Sequence, residues 1–465
     1  MTERAPLPAA FRESMKALLG EERAAELFAA LDSKPSVSIR ENASKGYEAQ
    51  GRTVGWCESG RYLDERPQFT LDPLLHAGLY YVQEAASMFI EQAYHALPEK
   101  PQRVLDLCAA PGGKSTLWRS LMPDGALLVC NEPVYSRAMI LRENLAKWGQ
   151  PDVVVTNRYG RDFAPLTGFF DVIAADVPCS GEGMFRKDDG AREEWTAESP
   201  VRCSTLQREI IRDVWPALRT GGYLVYSTCT FNREEDEDNI IYICNELGAE
   251  LVPIPLKPEW NIEGDTTGRA LPVYHFFPTA TSTDGISNGS HKGTESEGFF
   301  LALLRKTAES ASLNHKKKKS KAKEVPLRNV KGMDEWLHDG ADYKLTAPDA
   351  ENIHAVRRTL ADDIDQIRKT VKTLNFGIHM ATAKGAKWMP TQELALSTQL
   401  RKEAFPCVDV DLETALRYLR REAITIDAPR GYVIIAYKGH PLGFVNNLGN
   451  RSNNMYPAEW RIRTL

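Results

Sequence analysis

Val104-Leu105-Asp106-Leu107-Cys108-Ala109-Ala110-Pro111-Gly112-Gly113-Lys114-Ser115-Thr116 is the stretch that decides the fold of this chain. Its apolar start reads as a buried strand, its glycines as a tight turn, and its end as the opening of a helix. Gly113-Lys114-Ser115 invites a phosphate-loop reading, but that motif needs a glycine five positions before Gly113, where this chain has Cys108. The dinucleotide fingerprint fails too, because glycines stand only at 112 and 113. What remains is a backbone turn suited to a cofactor without phosphates.

Further strands are expected at 126–130, 153–155, 172–175 and 223–226, with an amphipathic helix over 137–148. Repeated βα units predict an α/β fold, a mostly parallel Rossmann-like sheet with helices on both faces. Residues 301–304 are expected to add an edge strand. Ligands in such sheets bind beyond the carboxyl ends of the strands. Glu132, 19 residues past Gly113 at the end of the second strand, is placed to accept hydrogen bonds from both ribose hydroxyls. S-adenosyl-L-methionine has a ribose, an adenine and an amino-acid tail, and no phosphate. A glycine turn alone could simply pack helix on strand; turn and acid together favour that cofactor.

Two cysteines sit at the ends of other strands. Cys179 lies in Asp176-Val177-Pro178-Cys179-Ser180-Gly181, and Cys229 in Tyr226-Ser227-Thr228-Cys229-Thr230. A thiolate there can attack an electron-poor ring carbon, and Asp176 can manage a ring nitrogen. One isolated cysteine at a strand end is as readily a small hydrophobe, but two in such polar settings point to chemistry. The eight cysteines include no Cys-x-x-Cys pair, so neither a metal site nor a disulfide framework is expected.

A length of 465 residues suggests roughly three domains. The start carries no apolar stretch suited to a signal peptide, and no segment is long enough to span a bilayer, so a cytoplasmic protein with no membrane partner is expected. The net charge of −5 is unevenly divided. From Thr307 onward 26 Lys and Arg face 19 Asp and Glu, whereas the preceding part carries 32 against 44. The excess points the C-terminal part toward a polyanion, although the lysines at 316–319, 321 and 323 read as a solvated linker. The expected organisation is a small α+β module over 1–72, the sheet domain over 73–306, a Lys-rich linker over 307–330, a helical module over 331–385 and a mostly β module over 386–465. Residues 279–295, rich in Thr, Ser, Gly and Asn, read as a mobile surface loop.

The stretches 104–116, Asp176-Val177-Pro178-Cys179-Ser180-Gly181-Glu182-Gly183-Met184 and 226–230 closely resemble the Nop/Sun-type RNA cytosine methyltransferases, which make 5-methylcytosine. Residues 78–88 resemble the segment preceding the sheet in that family, and Arg40-Glu41-Asn42 its N-terminal arginine-x-asparagine element. Residues 431–463 resemble the PUA-like RNA-binding module of the bacterial small-subunit ribosomal RNA subgroup. The resemblance implies that Cys229 adds to carbon 6 of cytosine, that Asp176 holds ring nitrogen 3, and that Cys179 assists release. It implies that Cys108, Ala109, Ala110, Pro111, Gly112, Gly113 and Lys114 hold the tail of S-adenosyl-L-methionine, with Glu132 on the ribose. Where the family often has an aspartate for the adenine amino group, this chain offers Asn157 nearest the strand end, with Asp162 as the alternative.

The implied partner is RNA, either ribosomal RNA or the small ribosomal subunit, met by a monomer. The target base must be flipped or single-stranded to reach two thiols. Arg40 and Asn42, Arg186 and Lys187 beside the Cys179 motif, and Arg430, Lys438 and Arg451 among Tyr432, Tyr437, Phe444 and Tyr456 are the candidate RNA contacts. The alternatives are a transfer-RNA cytosine methyltransferase, a DNA cytosine methyltransferase, against which the Ser227-Thr228-Cys229-Thr230 motif argues, and a non-catalytic ribosome-assembly factor.

Overall fold

Val104, Leu128, Cys130, Val155 and Val172 pack on one face of a central sheet, and Leu105, Leu127, Val129, Val154 and Ile173 on the other. Apolar residues at successive positions leave neither face for water, which is the signature of a parallel sheet covered on both sides. Burial of each such side chain contributes roughly 1.5–3 kcal/mol. The computed structural model describes residues 4–279, 294–309, 325–385 and 387–463. Most of the 279–295 loop and the lysine run of the linker lie outside the described residues.

Five parallel strands form the centre: β1 (Arg103–Asp106), β2 (Leu127–Asn131), β3 (Val153–Thr156), β4 (Phe170–Asp176) and β5 (Leu218–Thr228). Their order is β5-β4-β1-β2-β3. The crevice between β1 and β4 is therefore the point where the strand order reverses, and where such sheets take ligands. Helices α1 (Gly113–Leu121) and α2 (Tyr135–Trp148) cover one face. Helices α3 (Ser199–Val214) and α4 (Glu237–Leu247) cover the other.

Four antiparallel strands extend the sheet: β6 (Ala249–Leu251), β7 (Tyr274–Phe276), β8 (Phe299–Lys306) and β9 (Thr373–Phe376). β8 is not an edge strand as the sequence suggests, because it pairs with β5 on one side and with β6 and β7 on the other. Its residues Phe299 to Leu304 are all buried, as an internal strand requires.

The expected helical module over 331–385 is a mixed segment. It forms strands Tyr343–Thr346, Asn352–Arg357 and Ile378–Lys384, one helix at Ala361–Thr370, and β9, which pairs with β3. Only Ile364 and Ile367 of the helix reach the core, so the period that suggests one long helix is broken by β-branched, strand-forming ends. Arg103 clamps Asp363 with two hydrogen bonds of 2.8 and 3.0 Å, and Arg357 bonds Asp152 at 2.9 Å, fastening this segment to the sheet.

The N-terminal module has helices Ala9–Leu19 and Glu21–Asp32 and a four-stranded antiparallel sheet whose last strand, Tyr80–Val82, comes from beyond residue 72. At the C-terminus, within the expected mostly β module, Gly431–Tyr437 and His440–Asn447 form an antiparallel hairpin. Ile424 and Ile426 are buried but lie in irregular chain rather than a strand. The outer modules share one core, in which Ile39, Leu79 and Tyr80 meet Ala415, Leu419 and Val433.

Arg40 and Asn42 explain how the N-terminal module docks. Arg40 is 0% exposed, stacks over Trp148 at 4.4 Å, and donates to Gln83 and Thr116 at 2.7 and 2.5 Å. Asn42, also 0% exposed, donates to the carbonyls of Gly78 and Trp148 at 2.8 and 2.9 Å. These residues are ties between modules, which corrects the expectation that they face RNA: burying a polar group requires such partners. Lys45 adds two hydrogen bonds of 2.6 Å, to the carbonyls of Ala77 and Lys147.

Gly78 sits at the centre of this junction with φ +73°, and a Cβ there would run into the Lys147 carbonyl. Gly78→Ala is expected to lose about 2–3 kcal/mol through strain and overpacking. A lowered melting temperature in calorimetry checks this; an unchanged one would mean that the junction yields.

Candidate active site

Parallel pairing places the ends of β1, β4 and β5 side by side, with Asp106 opposite Ala174 and Asp176 opposite Ser227. The chain leaves β1 through Leu107 and turns at 108–112 into α1. Gly112 has φ +117°, and a Cβ on it would approach Leu141 at 3.3 Å; a Cβ on Gly113 would approach the Tyr81 ring at 3.0 Å. These contacts explain why both positions are glycine. The carbonyls of Ala110 and Pro111 accept from Arg137 and Asn144 at 3.1 and 2.8 Å, so α2 holds the turn from behind.

Glu132 follows β2 and is 1% exposed. One oxygen accepts from the Val134 amide at 2.9 Å, and the other pairs with Arg137 at 3.3 Å. Asn157 lies beside it and spends its amide N–H groups on the carbonyls of Glu132 and Pro133 at 2.7 and 2.8 Å. Its carbonyl oxygen therefore remains the acceptor that an adenine amino group needs. Asp162 instead accepts from the Tyr159 amide at 3.2 Å and caps the short turn Gly160–Phe163.

Asp176 ends β4. One oxygen accepts from the Ser227 hydroxyl and the other from the Lys114 ammonium, both at 2.8 Å. Burial works against the Lys114 charge, but Asp176 outweighs it and holds the ammonium pKa above its usual value, with Cys229 adding in the same direction. Beyond Asp176 and Ser227 the chain brings Cys179 and Cys229 together with their sulfurs 3.1 Å apart. The hydrogen bond to Cys229, and then burial, push the Cys179 thiol well above its usual pKa. The Cys229 backbone amide donates to the Cys179 sulfur at 3.4 Å. Gly183 closes this pocket: its amide donates to the Cys229 carbonyl at 2.9 Å, and its backbone packs on Gly298.

The candidate RNA contacts divide. Arg186 is 1% exposed and donates to Ser33 and the Lys34 carbonyl at 2.9 and 2.7 Å, so it anchors the N-terminal helices and is not a phosphate clamp. Lys187 is partly exposed and lies 3.7 Å from Glu297. Arg430, Lys438 and Arg451 are exposed on the C-terminal module. Of the aromatics interleaved with them, Phe444 and Tyr456 are core, whereas Tyr432 and Tyr437 are half-buried. Among the described residues, no group of three His, Cys, Asp or Glu side chains is arranged to hold a metal ion.

Several polar groups of the site escape a reading by strand ends. Asp106 is buried at the root of the turn, accepts from the Ser115 hydroxyl at 2.6 Å, and is pushed up to about 7 by burial. Glu182 accepts from Thr230 and the Phe231 amide at 2.5 and 2.8 Å. Gln207, Asn232 and Glu235 lie under the two cysteine turns. The signal that could have found them is the polar spacing after each cysteine, with Glu182 three residues past Cys179 and Asn232 three past Cys229.

Comparison with known proteins agrees in all three parts of the chain. Residues 93–290 match the family described as 16S rRNA methyltransferase RsmB/F. Residues 7–85 match the N-terminal domain of 16S rRNA methyltransferase RsmF, and 405–462 the methyltransferase RsmF PUA domain. Ribosomal RNA small subunit methyltransferase F of Enterobacter sp. (strain 638) is 31% identical over 430 residues, covering 89% of this chain and 85% of that protein. Its counterpart in Citrobacter koseri is 32% identical over 423 residues, covering 87% and 84%. A methyltransferase homologue from Pyrococcus horikoshii is similar in structure, with a TM-score of 0.53 and 26% identity over 64% of this chain and 94% of that one.

The raised pKa of Asp106 sets a pH dependence. The unfolded chain loses this proton near 3.8, whereas the folded protein keeps it to about 7. Folding stability therefore falls as pH rises from about 4 to about 7 and is flat above, since the native state binds the extra proton. Asp106→Asn removes this contribution, so its melting temperature should gain on that of the wild type across this window and hold the gain above it. Parallel melting curves across the window would exclude the raised pKa.

Proposed function

This chain belongs to the RsmB/F family of 16S ribosomal RNA methyltransferases, and on that premise we propose that it forms 5-methylcytosine through a covalent bond from Cys229 to carbon 6 of the base. Its methyl donor is S-adenosylmethionine. The residues present fit that cofactor: a phosphate-free glycine turn, the buried Glu132 carboxylate for the ribose, and the Asn157 carbonyl oxygen for adenine. Residues 108–113 and Lys114 would hold its amino-acid tail. When bound, it supplies an electrophilic methyl group.

The observation that carries the reading is the approach of the two sulfurs to 3.1 Å beside the Lys114–Asp176 pair. Carbon 5 of cytosine is a poor nucleophile until a thiolate adds at carbon 6. Cys229 makes that bond; ring nitrogen 3, onto which the displaced electron pair moves, takes up a proton from solvent, and Asp176 accepts the hydrogen bond of that N–H. The Lys114 ammonium lies within electrostatic reach of Cys229. Once carbon 5 carries the methyl group, a water molecule takes its proton; the C–H electron pair forms the carbon 5–carbon 6 double bond and expels the Cys229 thiolate. Cys179 assists this release. The proposed substrate is ribosomal RNA or the small subunit, the proposed working form a monomer, and the proposed setting the cytoplasm. Among the described residues no helix is long and apolar enough to cross a membrane.

Cys229→Ala is expected to abolish methyl transfer to RNA while leaving S-adenosylmethionine binding nearly intact. Cys179→Ala should instead accumulate a protein–RNA band that survives denaturing electrophoresis and disappears when Cys229 is also replaced. Full turnover without the band would leave Cys179 a packing residue, and loss of both would place its role before methyl transfer. Bisulfite sequencing of the RNA product identifies the modified base, and conversion of every cytosine would refute 5-methylcytosine.

Glu132→Ala should weaken cofactor binding about tenfold or more, since each hydrogen bond to a charged group contributes roughly 1.5–3 kcal/mol. Calorimetry returning the wild-type dissociation constant would remove Glu132 from the ribose site.

A further inference from the structure

Glu235 is fully buried, six residues past Cys229. Its carboxylate takes the Ser180 amide at 3.0 Å, the Gln207 side-chain amide at 2.7 Å and the Asn232 side-chain amide at 2.9 Å. Each partner belongs to a different part of the site. Ser180 follows Cys179 directly. Gln207, on α3, also donates to the carbonyl of Pro178 at 2.9 Å, so the turn is held on both sides of Cys179. Asn232 lies in the turn after Cys229 and also donates to Thr230 at 2.6 Å. The main chain of Glu235 is itself fixed, because its amide donates to Asn232 at 3.0 Å and its carbonyl accepts from the Tyr226 hydroxyl at 2.7 Å.

We propose that Glu235 is a positioning residue for methyl transfer: its carboxylate straps the Cys179 turn to the Cys229 turn and so sets the spacing of the two sulfurs. The inference rests on the two-cysteine reading above and adds a residue that touches neither base nor cofactor. Three donors converge on this one side chain, so only a group that accepts on both oxygens satisfies them all. A glutamine would turn an N–H toward one of these donors. No cation neutralises the carboxylate among its hydrogen-bond partners, and burial pushes it up to about 7. A buried acid is a costly way to fill space, and the fixed spacing of a reactive pair is what that cost secures.

The test compares Glu235→Gln with the wild type. Expected are a kcat lower by roughly tenfold to a hundredfold, as small misplacements of reacting groups produce, and KM values for cofactor and RNA close to those of wild type. The spacing is read separately on the free protein, from the rate at which diamide closes a Cys179–Cys229 disulfide, followed by peptide mass spectrometry. That rate should fall severalfold in Glu235→Gln. Gln207→Met keeps volume but removes the Gln207 bonds to Glu235 and to the Pro178 carbonyl, together with those it accepts from Tyr226 and Asn239; it should show losses of the same kind and serves if Glu235→Gln fails to fold. A wild-type disulfide rate, or a wild-type kcat, in folded Glu235→Gln overturns the proposal. If the wild type makes no 5-methylcytosine, the two-cysteine reading fails, and the diamide rates still decide whether Glu235 spaces the sulfurs.

Discussion

One carboxylate joins the two halves of the site. Asp176 sits at the last paired position of β4, opposite Ser227 of β5, and reaches across to Lys114 at the start of α1. Because that register is fixed, Cys179 and Cys229 leave the sheet three and two residues later, from neighbouring strands and toward the same crevice. A slip of one residue between β4 and β5 would turn the side chains of the slipped strand to the opposite face. The sheet core thus does more than hold the fold. Helices packed on both of its faces hold the register in place, and the register brings the two cysteine turns together.

The site is built from groups that would each destabilise the protein if left alone. Asp106, Glu182 and Glu235 are buried acids, and one oxygen of Glu182 has no hydrogen-bond partner. Their desolvation is offset by serine, threonine and amide donors rather than by cations, which leaves Lys114 as the cation beside Asp176 and the sulfurs. Hydrogen-bonded networks of this kind rigidify the parts they join. That rigidity is concentrated under the two cysteine turns, where a small displacement matters most.

Much of this arrangement is legible in the sequence, for identifiable reasons. Strand ends and glycine turns are local signals, so the order of residues alone places the turn at 108–114, Glu132, Asp176 and both cysteines. Long side chains mislead. Arg40 and Arg186 look like RNA contacts because arginine is usually exposed, yet both are buried ties whose partners lie up to 153 residues away. Sequence spacing carries no record of such partners. The 331–385 segment departs from expectation for a related reason: its helix has an amphipathic period, but β9 beside it exists only because β3 offers an edge. Asn157 separates from Asp162 only through the capping role that Asp162 takes in the fold.

The pairing of β9 with β3 also has a consequence in time. β3 ends at Thr156, and the strand that covers its open edge begins at Thr373. At synthesis rates of about 5–20 residues per second, the ribosome takes roughly 10–40 s to make the intervening chain. Once β8 has been made, and until residue 373 follows, a strand of four buried residues, Val153 to Thr156, presents an unpaired edge in an otherwise nearly complete sheet. Exposed edges of this kind invite pairing with other chains. A nascent chain released between residues 306 and 373 would therefore carry both cysteine motifs complete and its sheet unfinished, so that truncation there threatens solubility before it threatens the site.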